Sequence, residues 1–471
     1  MKSLFFLISL LMAFVLKPST ARAQESNYSN YEVGSMATML GGSVTAGIAN
    51  ISAIYYNPGA LSFLETTSVS LETAALFGGS LKIENGAGQD IDIKSSFFDV
   101  IPSLIGGTFK GKKNKDLTFA YAAITVNSSL INFNVRNTAF IDVLTANSGD
   151  ELYEGIYDYS NKIRENWIGA SVSKKVNKNF AFGATLFGAY FSQAYSLRQS
   201  AIVSNVLADT ISTSLASSSF QRDLRFSSFG LILKAGAVYR FDYSSIGLTM
   251  TTPNLNIDLF AKGGLSEIIN VNIPGVIPTF STSLYGEKLT TYHRTPFIIS
   301  LGYQKELVGA KWNLSLTYNS AVKEYTMVET AAQFIGQPGL RKPPLRVFDM
   351  ARQIFNVAFG LKKDLREGLS FLGGARTDLN YISSEFLESN RFIPKMSYWN
   401  LYHITTGIIW FTEKAHLTLG GDYAFGASKG DLQQVNLSDP EETNLLFGTK
   451  TTNTKTSHNQ INLVLGFSYS F

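Results

Sequence analysis

The chain has 471 residues, a formal net charge of +4 and no cysteine. The absence of cysteine excludes disulfides, thiolate catalysis and Cys-ligated metal sites, and the small net charge gives no electrostatic reason to expect nucleic-acid binding. Aromatic residues make up 13% of the chain and charged residues only 16%, below the roughly 25% that is usual in soluble domains.

The N-terminus has the pattern of a secretory signal peptide. Lys2 supplies a positive start, Leu4 to Leu16 form a mostly apolar stretch, and Ala21-Arg22-Ala23 is a small-x-small cleavage site. The apolar stretch is too short to cross a bilayer as a helix. We therefore predict a signal peptide at residues 1–23 and a mature chain that begins at Gln24. Removing the signal peptide also removes three positive charges, which lowers the formal charge to about +1.

Residues 24–66, the N-terminal segment, precede the first predicted strand and are rich in small residues. Gly34-Ser-Met-Ala37 and Gly41-Gly-Ser-Val-Thr-Ala-Gly47 are typical stretches. Small residues allow backbone to fold compactly inside the lumen of a barrel. The segment is predicted to be a plug, and a disordered periplasmic leader is the alternative.

Residues 67–471 alternate between apolar and other residues with a period of two. In the last strand the odd positions from Ile461 to Phe471 are all apolar or aromatic, whereas Asn462, Gly466 and Ser468 stand between them. This pattern is typical of a strand with one face against lipid. No later stretch is apolar over the roughly 18 residues of a membrane helix. The predicted strands are 67–79, 95–109, 116–127, 163–176, 179–196, 228–241, 244–257, 295–307, 310–322, 352–365, 369–381, 401–412, 415–428 and 459–471.

The connections between these strands alternate in length. Short links such as Asn177-Lys178, Val308-Gly309 and Glu413-Lys414 are separated by long ones. The long links are predicted at 128–162, 197–227, 258–294, 323–351, 382–400 and 429–458. Short periplasmic turns and long extracellular loops are the arrangement of outer-membrane barrels. The sequence therefore predicts an all-β fold, a transmembrane antiparallel β-barrel of about 14 strands with the plug in its lumen. A soluble β-propeller is the alternative, but no blade motif repeats.

Two features resemble catalytic or metal-binding motifs. Gly426-Ala-Ser-Lys-Gly430 has the G-x-S-x-G spelling of serine hydrolases, but it follows a barrel strand and lacks the helix that such an elbow needs. The four histidines are scattered and form no H-E-x-x-H pair. We expect no catalytic residues, no metal and no cofactor.

The stretch from Ala46 to Leu61 resembles the start of the FadL/TodX family of outer-membrane transport proteins, which carries an Asn-Pro-Ala-Gly-Leu-like motif before its first strand. Here Asn57, Pro58 and Leu61 match, while Gly59-Ala60 stand in swapped order. Ile246-Gly-Leu-Thr-Met-Thr-Thr-Pro253 is similar to a second strand end of that family. The resemblance implies a 14-strand barrel with an N-terminal hatch that passes hydrophobic molecules across the outer membrane.

In that family the ligand leaves through a gap in the wall, at an inward kink of the third strand. The corresponding strand here, Asp116 to Asn127, contains no Gly or Pro that would predict a kink. The lumen itself offers apolar positions by strand parity, and apolar walls with few polar anchors suit an apolar ligand. A cation there could bind a carboxylate. Together with the two motif residues, the candidate ligand-binding residues are Asn57, Pro58, Phe187, Phe191, Ile232, Lys234 and Arg376.

The leading functional hypothesis is a FadL-like channel for passive uptake of hydrophobic compounds, such as long-chain fatty acids or related apolar molecules. The chain is then an integral protein of the outer membrane of a Gram-negative bacterium, in contact with outer-membrane lipid and with a hydrophobic small molecule. The alternative is an accessory barrel that docks a protein partner in an outer-membrane secretion or assembly complex. A general diffusion porin is a third reading, and enzymatic activity is not expected.

Overall fold

The computed structural model describes residues 25–471, except 29–31, 48–49, 73–74, 112, 206–212, 259–260, 332, 335–340, 388, 390 and 397–398. The predicted signal peptide lies outside the described residues. The helices are α1 (Ser35–Met39), α2 (Ala53–Tyr56), a 3-10 helix (Pro58–Phe63) and α3 (Ser384–Leu387). None of the described helices is long and apolar enough to span a membrane.

The rest of the fold consists of β-strands. Their bounds are β1 Ser68–Glu72, β2 Ala75–Glu84, β3 Ile93–Ile101, β4 Leu104–Lys110, β5 Leu117–Ile141, β6 Glu151–Lys175, β7 Phe180–Asn205, β8 Thr213–Arg240, β9 Ser244–Thr251, β10 Leu255–Asn256, β11 Lys262–Ile273, β12 Ile277–Leu289, β13 Ile298–Leu307, β14 Ala310–Asn319, β15 Val322–Glu329, β16 Gln333–Phe334, β17 Arg341–Lys342, β18 Arg346–Ala351, β19 Ile354–Arg366, β20 Leu369–Asp378, β21 Leu401–Phe411, β22 Ala415–Lys429 and β23 Lys455–Ser470.

The strands form a closed antiparallel barrel of 14 strands, as the sequence predicts. β1 and β2 together make the first barrel strand, and β3 and β4 make the second. The others are β5 to β9, β13, β14 and β19 to β23. The barrel closes where β23 pairs with the first strand, with Ser470 opposite Ser68 and Val464 opposite Ala75. Closure satisfies the backbone groups that an open edge would leave unpaired.

The outer surface of the barrel is apolar. In β23 the side chains of Ile461, Leu463 and Phe467 are exposed, whereas Asn462 and Val464 between them are buried inside. The predicted alternation is therefore confirmed in this strand. The predicted short turns are confirmed too: β13 and β14 are joined at Gly309, whose φ of 69° is the left-handed conformation that glycine adopts without strain.

The predicted long loops differ from the structure. Most of 128–162 and 197–227 belongs to β5, β6, β7 and β8, which run 25 to 28 residues. The stretch 258–294 contains the hairpin β11–β12, and 323–351 contains the pair β15–β18. Beyond the apolar band the outward face need not be apolar: in β5 it carries the exposed Asn132, Asn134 and Arg136. The lipid-facing pattern ends there while the backbone pairing continues.

Candidate functional site

The described residues of the N-terminal segment pack against inward-facing glycines of the barrel wall. A side chain at each of these glycines would take the space that Met39, Leu40, Thr45, Ala46, Asn57 or Pro58 now occupies. The glycines form four cross-strand pairs, which are Gly183–Gly236, Gly247–Gly302, Gly360–Gly374 and Gly407–Gly420. Since glycine has no Cβ, each pair lets the backbone of the segment approach the wall closely.

Wall hydroxyls satisfy backbone carbonyls of the N-terminal segment. Thr405 Oγ1 donates to the carbonyl of Met39 at 2.9 Å, and Thr185 Oγ1 donates to that of Ile54 at 3.0 Å. Short helices leave many carbonyls without an internal partner, and these groups are buried here. The segment is therefore held by hydrogen bonds as well as by close packing.

Asn57 and Pro58 fix the turn between α2 and the 3-10 helix. Asn57 Oδ1 accepts from the backbone N–H of Gly59 at 3.1 Å, and Pro58 occupies the first helical turn, where no N–H donor is needed. Asn57 Nδ2 donates to the carbonyls of Thr45 at 2.8 Å and Ala237 at 3.0 Å. The structure thus places these two predicted site residues between the N-terminal segment and the wall, away from the cavity described below.

A buried charged cluster joins the N-terminal segment to the wall. Arg376 on β20 lies 3.5 Å from the carboxylate of Glu32 and 3.4 Å from that of Asp422 on β22. Tyr56 donates its hydroxyl to Glu32 at 2.5 Å, and His403 lies 3.0 Å from Asp422. Burial, together with the neighbouring Glu32, raises the pKa of Tyr56 well above its usual range, so the hydroxyl stays protonated and donates. Arg376 is therefore occupied by partners within the protein.

A cavity of about 160 Å³ lies in the lumen beside this cluster. Aromatic side chains such as Tyr55, Tyr56 and Trp167 line it together with charged ones such as Glu32 and Lys395. Four of the predicted site residues also line it: Phe191, Ile232, Lys234 and Arg376. Phe187 lies behind this wall and packs on Trp167, with ring centroids 5.2 Å apart. Its side chain is fully buried and does not reach the cavity.

Lys234 is the cation of β8 at the cavity. Its Nζ donates to the carbonyl of Tyr55 at 2.5 Å and lies 4.2 Å from the centre of the Tyr55 ring. A cation over an aromatic face is attracted by the ring quadrupole. Lys234 therefore ties α2 of the N-terminal segment to the wall in this structure.

Residues 391–396, the capping loop, close the cavity from the side of the long connections. The carbonyl of Pro394 accepts from Asn161 Nδ2 at 2.9 Å and from Gln193 Nε2 at 2.8 Å, on β6 and β7. The backbone N–H of Met396 donates to Glu25 at 2.6 Å. Glu25 also accepts from Asn161, which links the start of the N-terminal segment to the capping loop.

The capping loop also pairs with β18. Phe392 bridges Val347, and Lys395 Nζ lies 2.6 Å from the carboxylate of Asp349. Lys395 and Asp349 are both lining residues of the cavity. Access from this side therefore requires the capping loop to move.

The barrel wall is irregular next to the cavity. Pro102 separates β3 from β4, and the pairing of β5 with β6 shifts register at Val126. Inward-facing positions in β5 change there from even to odd numbers. Within the described residues no β-ladder joins β3 to β5, although Asn132 donates its backbone N–H to Ser95 Oγ at 3.2 Å. Val126 lines the cavity, so the cavity adjoins this gap.

Several solved structures have a similar fold. The toluene transporter TodX of P. putida has a TM-score of 0.61 at 15% identity, over 93% of this chain and 99% of that one. The toluene transporter TbuX of Ralstonia pickettii has a TM-score of 0.55 at 12% identity, over 94% and 100%. A FadL homologue of Pseudomonas aeruginosa has a TM-score of 0.53 at 14% identity, over 96% and 100%. The chain has the TodX-like barrel fold. No protein-family model and no curated protein sequence matches the chain.

The TodX-like fold confirms the resemblance inferred from Asn57, Pro58 and Leu61 at the level of fold. Within it, three features were missed by sequence reasoning: the wall glycine pairs, the capping loop, and the carboxylates of Glu25 and Glu32. The glycines carry a usable signal, because a lumen-facing glycine in a long strand is unusual and often marks close backbone approach. The carboxylates carry none, since partners such as Met396 for Glu25 and Arg376 for Glu32 are distant in the sequence.

Proposed function

We propose that the chain is an integral outer-membrane channel that lets hydrophobic compounds enter passively. The observation that carries the proposal is the aromatic-lined cavity of about 160 Å³, enclosed between the N-terminal segment, the capping loop and the barrel wall. Ligand sites of this kind are mostly apolar with a few polar groups. TodX and TbuX, which share the fold, are toluene transporters.

The size of the cavity favours a ring-sized ligand. A cavity of about 150 Å³ lined by apolar side chains is large enough to hold benzene. Long-chain fatty acids, the other candidate cargo, exceed this volume, so their passage requires the capping loop or the N-terminal segment to move. Residues 1–23 are then the export signal, and residues 24–66 serve as the hatch of the channel.

The wall gap between β3 and β5 is the proposed exit. Val126 and Asn127 line the cavity, and both lie at the register shift beside the gap. A ligand that leaves sideways passes into the membrane without crossing a polar pore. Deleting Val126 restores continuous alternation in β5, and we expect it to slow uptake without abolishing ligand binding.

The proposal is tested by uptake of radiolabelled toluene into Gram-negative cells that express the chain. We expect an initial rate that saturates with concentration. Ile232→Trp places bulk in the cavity and should abolish the saturable part. Ile404→Trp, at an exposed lipid-facing position of β21, is the matched control and should leave it unchanged. An initial rate that rises linearly with toluene concentration and is unchanged in Ile232→Trp would contradict the proposal.

A further inference from the structure

His293 lines the cavity from the connection between β12 and β13. Its imidazole stacks on the ring of Phe191, with centroids 3.9 Å apart and an interplanar angle of 17°. Its backbone is held on both sides: the N–H donates to Asn256 Oδ1 at 3.0 Å, and the carbonyl accepts from Asn254 Nδ2 at 3.1 Å. The ring is thus fixed in place before any ligand arrives, and such preorganisation favours binding.

Both ring nitrogens of His293 are shielded from solvent, and neither has a hydrogen-bond partner among the residues that the structure describes. A buried polar group without a partner costs free energy, so such groups are rare and call for an explanation. The backbone N–H and carbonyl of His293 are already paired with Asn256 and Asn254. A ligand in the adjoining cavity is a source of the missing partner.

The charged side chains at the cavity are already engaged, apart from Arg294, which is exposed and lies over the ring of Tyr325. Lys234 donates to the carbonyl of Tyr55 and Lys395 to Asp349, as described above. Glu165 accepts from the indole N–H of Trp167 at 2.8 Å. Arg376 and Glu32 belong to the charged cluster, and Glu25 holds the capping loop. His293 therefore differs from these groups in having unused hydrogen-bonding capacity at the cavity.

We propose that the cavity selects apolar molecules that carry one neutral hydrogen-bonding group, a hydroxyl or a carbonyl, and that His293 recognises that group. The inference rests on the proposed function and names the ligand class of the same site. A neutral imidazole has one N–H donor and one acceptor nitrogen, so it pairs with either kind of group. Burial lowers the pKa of His293 to about 4, against a smaller opposing effect of Asp349, so the ring is neutral at physiological pH.

The test compares two ligands that differ by one hydroxyl, toluene and 4-methylphenol, titrated calorimetrically into the purified full chain. His293→Phe keeps a stacking ring and removes both nitrogens. We expect the affinity for 4-methylphenol relative to toluene to fall by about fivefold to tenfold, the effect of one neutral hydrogen bond. Toluene has no hydrogen-bonding group, so its affinity is the reference for each variant.

His458→Phe is the matched control. His458 is buried and stacks on Phe97, but it does not line the cavity. An unchanged affinity ratio in His293→Phe, or an equal fall in His458→Phe, would overturn the inference. If His293→Phe fails to fold, His293→Gln, which keeps a donor and an acceptor, is compared with His293→Met. We then expect the affinity for 4-methylphenol relative to toluene to be higher in His293→Gln, and equal ratios would overturn the inference. Absence of toluene binding to the unaltered protein would instead contradict the proposed function.

Discussion

Replacing Gly247 by alanine should displace the N-terminal segment from the wall without unfolding the barrel. The new methyl group would occupy the place of the Thr45 carbonyl oxygen and would lie 2.7 Å from the Cα of Ala46. Both obstacles are backbone atoms, so no side chain can turn aside. Restoring a normal contact near 3.5 Å with the nearer obstacle, the Thr45 oxygen, needs a shift of about 1.5 Å in the segment. Overpacking of this kind costs about 1–3 kcal/mol.

That cost raises the population of the displaced segment by about fivefold to 150-fold. We expect a higher ion conductance in planar bilayers and faster proteolysis of the N-terminal segment, while the barrel stays folded. Gly421→Ala is the control, because the nearest atom to its added methyl is 3.7 Å away. If Gly247→Ala matches Gly421→Ala in both measurements, the N-terminal segment does not depend on the glycine pairs.

Three further outcomes are expected. Arg376→Met leaves buried carboxylates without their cation and should lower the free energy of unfolding in urea by about 3–5 kcal/mol. Because the chain has no cysteine, the pair Val347→Cys and Phe392→Cys, which bridge each other, should form a single disulfide that blocks saturable toluene uptake until it is reduced. His293 has its pKa lowered to about 4 in the folded chain and near 6.5 when unfolded. As the pH falls, the unfolded chain therefore binds a proton at His293 before the folded chain does. The free energy of unfolding should fall by up to about 3 kcal/mol from pH 6.5 to pH 4, and His293→Phe should lack this contribution.

Each of these outcomes has a result that would contradict it. A change below about 1 kcal/mol in Arg376→Met would show that the charged cluster is not coupled to folding. For the capping loop, the control is the disulfide between Glu441→Cys and Asn444→Cys, another bridged pair. Equal effects of the two disulfides on toluene uptake would show that uptake does not depend on movement of the capping loop. Identical pH profiles with and without His293 would refute the proposed burial of a neutral ring.

The elements in contact with lipid could be predicted from the sequence because lipid constrains every second residue. Ile461, Leu463 and Phe467 therefore mark β23 without any knowledge of its neighbours. Above the apolar band the alternation of β5 is inverted, with Phe133 and Val135 buried inside and Asn134 exposed. The continuation to Ile141 was therefore not recognised as part of the strand. The irregularity in β5 was missed because it arises from an extra residue, Val126, and not from a Gly or Pro.

The site could be predicted only in part. Phe191, Ile232, Lys234 and Arg376 follow from strand parity, which says only that a side chain faces the lumen. What each side chain meets there depends on the N-terminal segment, and Lys234 and Tyr55 are 179 residues apart in the chain. His293 has no signal in the sequence, since its role depends on the cavity beside it.

Binding of one hydrophobic molecule in the lumen can be observed by native mass spectrometry of the purified protein, titrated with toluene and 4-methylphenol. We expect one adduct per chain that saturates and that disappears in Ile232→Trp. Adducts that grow in number without saturation, or none at all in a folded barrel, would contradict this expectation.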